Sequence, residues 1–168
     1  IEGFHFKDST GNFVIKAGDT NTTVDFLGVP TRVKNIQIVG NTFEDTGNLI
    51  ASFQKAILIR RAEESLVENN IFRNIYSGAV TVPDSYKIII KNNEVNGMHD
   101  NPNDFSSGRL ILTGSVGSPT FQPGSNLRIN GHHTIEGNYL HNLDFRTDAG
   151  IACDSGGHNT IIRRNIVT

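Results

Sequence analysis

A phrase of eight residues recurs along the chain: apolar, any, any, Asn, any, apolar, any, Asn or Asp. It reads Ile38-Val39-Gly40-Asn41-Thr42-Phe43-Glu44-Asp45, and again Val67-Glu68-Asn69-Asn70-Ile71-Phe72-Arg73-Asn74. It returns as Ile90-Lys91-Asn92-Asn93-Glu94-Val95-Asn96-Gly97 and as Ile135-Glu136-Gly137-Asn138-Tyr139-Leu140-His141-Asn142. A further copy, Ile162-Arg163-Arg164-Asn165-Ile166-Val167, meets the chain end, and Ile1-Glu2-Gly3-Phe4-His5-Phe6-Lys7-Asp8 superposes on the series with Phe4 in the Asn slot. Short β segments hinged on a recurrent turn Asn specify a chain wound into stacked coils.

The slots fall at 4, 41, 70, 93, 138 and 165, with spacings of 37, 29, 23, 45 and 27 residues. The shortest suits a bare coil of three strands and three turns, and the others read as that coil with insertions. One strand precedes the slot and one follows it. The third lies after the second turn, as in Phe13-Val14-Ile15-Lys16, Ala56-Ile57-Leu58-Ile59-Arg60, Ala79-Val80-Thr81-Val82 and Ile151-Ala152-Cys153-Asp154. Stacking puts equivalent residues about 4.8 Å apart. Phe6, Phe43, Phe72, Val95, Leu140 and Val167 should form one inward apolar column, and the five slot asparagines an amide ladder. Amphipathic helices are excluded by the Asn and Gly content and the period-2 alternation. Insertions at 17–32, 47–55, 98–108 and 113–126 gather beside the third strand. In the longest coil either 109–112 or 127–129 can be the third rung.

The chain of 168 residues forms one domain, 1–168, with about six coils; its phrase runs from the first residue to the last, so a piece of a longer coil is expected. A net charge of −2 gives no field for nucleic acid, and apolar runs of three or four residues do not insert in a membrane. One cysteine, Cys153, allows no internal disulfide, and beside Ile151 it reads as a small core residue.

The Asn-centred phrases resemble those of the right-handed parallel β-helix (pectin-lyase-like) superfamily. Its members include pectate and alginate lyases, chondroitinase-type lyases, polygalacturonase-type hydrolases, uronan epimerases and phage tailspikes. The resemblance covers nearly the whole chain outside the insertions and implies an all-β solenoid. It does not name an activity. The hydrolase-type set of Asn-x-Asp, Asp-Asp, Gly-His-Gly and Arg-x-Lys is absent, with Gly157-His158-Asn159 a partial echo. His99-Asp100-Asn101-Pro102 only shares letters with the epimerase-type Asp-Pro-His-Asp.

Polysaccharide-acting β-helices bind substrate along an outer strand face and its flanking loops. Aligning third strands on Ile15, Ile59, Val82 and Cys153 brings Lys16 beside Arg60 and Arg61. Their cations suit uronate carboxylates and the enolate-like charge of a β-elimination, in which a Lys or Arg takes the C5 proton. The plainer reading is a solvated basic rim. The same alignment gathers Asp84, Asp154 and Asp148 with Arg146 and His158. Asp84 and Asp154, two coils and about 9–10 Å apart, sit near the spacing of an inverting acid/base pair; the plainer reading is turn chemistry. We take Lys16, Arg60, Asp84 and Asp154 as candidate catalytic residues. Candidate substrate contacts are Arg61, Arg109, Arg146, Asp148 and His158. No metal is assigned: His132 and His133 point to opposite faces, and the oxygen-rich stretch 99–104, a conceivable Ca²⁺ ligand, lacks a known calcium spacing. Asn21-Thr22-Thr23 matches a glycosylation acceptor.

These readings lead to a carbohydrate-active β-helix at the cell surface or outside the cell, binding or cleaving a polysaccharide that includes uronate, with lyase chemistry ahead of hydrolysis. The alternative is a non-catalytic structural or adhesive module of a surface, tailspike or filament protein, self-associating through its coil ends.

Overall fold

The computed structural model describes residues 1–9, 13–18, 32–46, 55–76, 78–99, 109–114, 131–143, 149–153 and 159–168. Among them every paired strand is parallel, and each pairs with its counterpart one coil before or after. The sheet preceding the Asn slot contains Gln37–Val39, Leu66–Glu68, Ile89–Lys91, Thr134–Glu136 and Ile161–Arg163. The sheet following it contains His5–Lys7, Thr42–Glu44, Ile71–Tyr76, Glu94–His99, Tyr139–Leu143 and Ile166–Val167. The third contains Phe13–Gly18, Lys55–Arg60, Val80–Pro83, Arg109–Gly114 and Ala149–Cys153. This is a parallel β-helix, all-β with three-sided coils.

The slot asparagine closes each coil by linking it to the next. The backbone N–H groups of Phe4, Asn41, Asn70, Asn93 and Asn138 donate to Oδ1 of Asn41, Asn70, Asn93, Asn138 and Asn165 at 2.9–3.1 Å. Each of the four inner side-chain amides donates to the same oxygen as its own N–H. It also reaches a carbonyl one coil back, as Asn70 Nδ2 does to Ile38. The bend needs a left-handed residue just before the slot, and Gly3, Gly40, Asn69, Asn92, Gly137 and Arg164 all have φ between 55° and 74°. Gly and Asn tolerate that region best. The last residue of the phrase is left-handed too, at Asp8, Asp45, Asn74, Gly97 and Asn142. That break in alternation lets Phe72 and Ile75, three residues apart, both be buried.

The apolar column is in register from Phe6 through Phe43, Phe72, Val95 and Leu140 to Val167. The Phe6, Phe43 and Phe72 rings stack at 5.1 and 4.9 Å between centroids. With Ile38, Ile57, Ile59, Val67, Val80, Val82, Ile90 and Ile135 they form one core.

Three sequence expectations are revised or resolved. The third rung of the longest coil is Arg109–Gly114, which pairs with Val80–Pro83 and Ala149–Cys153; residues 127–129 lie outside the described residues. Ile15 pairs with Ile57, not Ile59, so Lys16 stands beside Leu58 and Gly18 beside Arg60. Cys153 is exposed, because its strand is the last of the third sheet and no further described strand covers it.

Candidate functional site

On the outer face of the third sheet, where a substrate groove was expected, Lys16 is exposed and the described side chains at the centre are buried. The central row of that face runs Lys16, Leu58, Thr81, Leu112, Ala152 in register. Leu58 is 8% exposed and Thr81 3%. The register places Lys16 two residues away from Arg60 along the strands, which breaks the expected Lys16–Arg60 pairing of neighbours.

The polar chemistry collects instead at the corner leaving that sheet. Here the chain turns through left-handed Arg61 and Asp84, with φ of 51° and 55°. It then forms the two-residue strands Val33–Lys34 and Ala62–Glu63, bridged onward to Tyr86 and Gly131. Each coil's turn is held by its neighbours. Val33 N–H donates to Arg61 O, Arg61 N–H to Pro83 O, and Gly131 N–H to Ser85 O. Buried Ser85 Oγ takes the Ala62 N–H. Outward side chains of three coils are therefore fixed relative to one another.

Arg60 Nε lies 3.4 Å from Asp84 Oδ2, so a basic and an acidic candidate form one ion pair. Asp84 is thereby a charge partner of Arg60 as well as a turn residue. Lys34 pairs with Glu63 at 3.6 Å and Lys87 with Glu64 at 3.3 Å. The Tyr86 ring lies between two cations, Arg32 at 5.6 Å and Lys87 at 5.4 Å from its centroid. His132 packs against the same ring at 5.1 Å and meets Asn159 Nδ2 through Nε2 at 3.2 Å. Burial pulls the Arg32 guanidinium below its ordinary value, and Glu63 and Asp84 partly offset this; arginine nonetheless stays charged near neutrality. Among the described residues the corner brings together the cations Arg32, Lys34, Arg60, Arg61 and Lys87 with the carboxylates of Glu63, Glu64 and Asp84.

The two adjacent histidines diverge as strand geometry requires. His132 is exposed and His133 buried. His133 Nδ1 accepts the Ile88 N–H at 3.1 Å, the role that Ser65 Oγ fills for Ile36 two coils earlier. Among the described residues no group of three His, Cys, Asp or Glu is arranged to hold a metal ion. Asp154, Arg146, Asp148 and His158, residues 100–104 and Asn21-Thr22-Thr23 lie outside the described residues. For Arg109 the backbone is described, in its strand, and the side chain is not. Sequence reasoning missed Arg32, Glu63, Tyr86 and Lys87. Their signal was the run of charged residues on either side of the Ala62 and Ser85 positions, which becomes a cluster only once the corner's register is known.

The sheets and the ladder define a parallel β-helix protein. The sequence matches the right-handed β-helix region over residues 20–168, and the chain belongs to that family. No curated protein and no solved structure matches it.

Proposed function

We propose that this β-helix binds an anionic, uronate-containing polysaccharide, outside the cell or at its surface, across the corner formed by residues 32–34, 60–64 and 84–87. The observation that carries the reading is the row of cations on three adjacent coils, with Arg32 and Lys87 at the Tyr86 ring and Arg60 beside Asp84. Guanidinium groups suit carboxylates through paired N–H donors, and an aromatic plate suits the C–H face of a sugar. Arg60 contacts Asp84 through Nε, which leaves its terminal amino groups for a ligand carboxylate. Cleavage by elimination would use Arg60 or Arg61 to neutralise the uronate carboxylate while a base takes the C5 proton, the C4–C5 double bond forms and the C4–O4 bond breaks, the departing oxygen taking a proton from solvent. With Lys16 out of register, binding is the better-supported half of the proposal.

Calorimetry with polygalacturonate and alginate tests it. Binding should be present at low salt and weaken as ionic strength rises, and R60A/R61A should weaken it about tenfold or more. The unsaturated-product absorbance in the same samples reports elimination. No binding at low salt, or equal binding by the double variant, would overturn the reading.

A further inference from the structure

On the side of the coil that follows the Asn turn, an aromatic plate is held in place by neighbouring coils. Tyr139 and His141 project outward from one strand and stack at 4.2 Å with an interplanar angle of 7°. His141 is pinned from both nitrogens: Nε2 lies 3.0 Å from Glu94 Oε1 and Nδ1 3.2 Å from Asn142 Nδ2. Asn142 Nδ2 also donates to Asn96 Oδ1 at 2.8 Å. Register sets Glu94 beside Tyr139 and Asn96 beside His141, so the Glu94–His141 and Asn96–Asn142 contacts cross the coil boundary. The His141 side chain is 15% exposed, whereas Tyr139 is 42% exposed. His141 covers one face of the Tyr139 ring, and Ile166 stands beside Tyr139 on the next coil.

An exposed tyrosine already stacked on a pinned neighbour loses less conformational entropy on binding than a free one. Glu94 Oε1 is engaged by His141, and the register sets Glu94 beside Tyr139, so a carboxylate stands next to the plate. A pyranose ring matches this layout: its axial hydrogens form an apolar plane, and its hydroxyl groups radiate around the edge as donors. The Glu94 carboxylate disfavours an anionic sugar here.

We propose that Tyr139, with Glu94 and Asn96, forms a second glycan-binding site for a neutral hexose or pentose unit, separate from the anion-binding corner. The sugar's C–H face stacks on Tyr139, and hydroxyl protons go to Glu94 Oε2 and to free lone pairs of Asn96 Oδ1.

The test is titration of the protein with cellohexaose, xylohexaose and mannohexaose, followed by NMR of the Tyr ring signals, with choline chloride as a cationic control. At least one hexaose should shift the Tyr139 signals. Y139A should weaken that binding about tenfold or more, and Y139F should keep it within about threefold. R60A/R61A should leave it unchanged, so failure of the corner proposal and failure of this one are read separately. No shift with any hexaose, undiminished binding by Y139A, or a response to choline alone would overturn the site.

Discussion

The slot asparagines Asn41, Asn70, Asn93 and Asn138 and His133 make up half of the buried polar residues among those described. Asn93 is buried; its Oδ1 takes two donors from Asn70, and its Nδ2 reaches Val67 O, Lys91 O and Asn138 Oδ1. Truncation would strand several buried backbone groups at once. N93A should therefore cost about 2–4 kcal/mol in urea unfolding, more than the roughly 1 kcal/mol typical of a single hydrogen bond. His133 gives a pH signature. Burial, with His132 and Arg32, lowers its value from 6.5 to about 4. The unfolded chain thus takes up the proton near 6.5 and the folded chain only near 4. Stability is full above pH 6.5 and falls as pH drops through that window, by roughly 3 kcal/mol at about 1.4 kcal/mol per unit. H133S, which installs the hydroxyl that Ser65 uses in the same column, should flatten unfolding measured between pH 7 and 4. The asparagine ladder was legible in the sequence because the slots share a fixed local phrase. His133 was not, since a backbone-accepting histidine and a backbone-accepting serine have no sequence pattern in common.

At the level of strands and turns, left-handed positions and register decide what meets what. Gly40 and Gly137 occupy equivalent turns at φ 65° and 66°. A Cβ on Gly40 would meet nothing within 4 Å, but on Gly137 it would lie 2.6 Å from Asn92 Oδ1. G40A should cost about 1 kcal/mol, the backbone penalty alone. G137A should cost more by whatever moving Asn92 takes, and thermal unfolding of the pair reads the difference. The third-sheet register shows where sequence reasoning stopped. Setting Ile15 against Ile59 instead of Ile57 is a slip of two residues, which keeps every side chain on its own face. Period-2 alternation detects a slip of one and is blind to a slip of two. The phrase around Asn41 and Asn70 has no such freedom, because the ladder bonds and the left-handed residue before each slot pin it. The basic cluster was therefore mislocated while the core columns were placed correctly.

For the molecule as a whole, the stack buries the inward faces of its inner coils among the described residues. Ion-pair rows continue the stacking on the outside: Glu68 meets Lys91 at 3.0 Å and Glu136 meets Arg163 at 2.7 Å. Such exposed pairs add little stability each. The binding proposed at the corner and at Tyr139 uses outer rows that are held by successive coils of the stack. Each coil rests on its neighbours, so opening one inner coil should require opening those beside it. Hydrogen exchange of the asparagine side-chain amides, followed by NMR, tests that claim directly. The Nδ2 protons of Asn70, Asn93 and Asn138 should exchange only through global unfolding, with one common free energy that N93A lowers at all three. Rapid exchange at these amides, or loss of protection at position 93 alone, would contradict the continuous ladder on which the fold and both proposed sites depend.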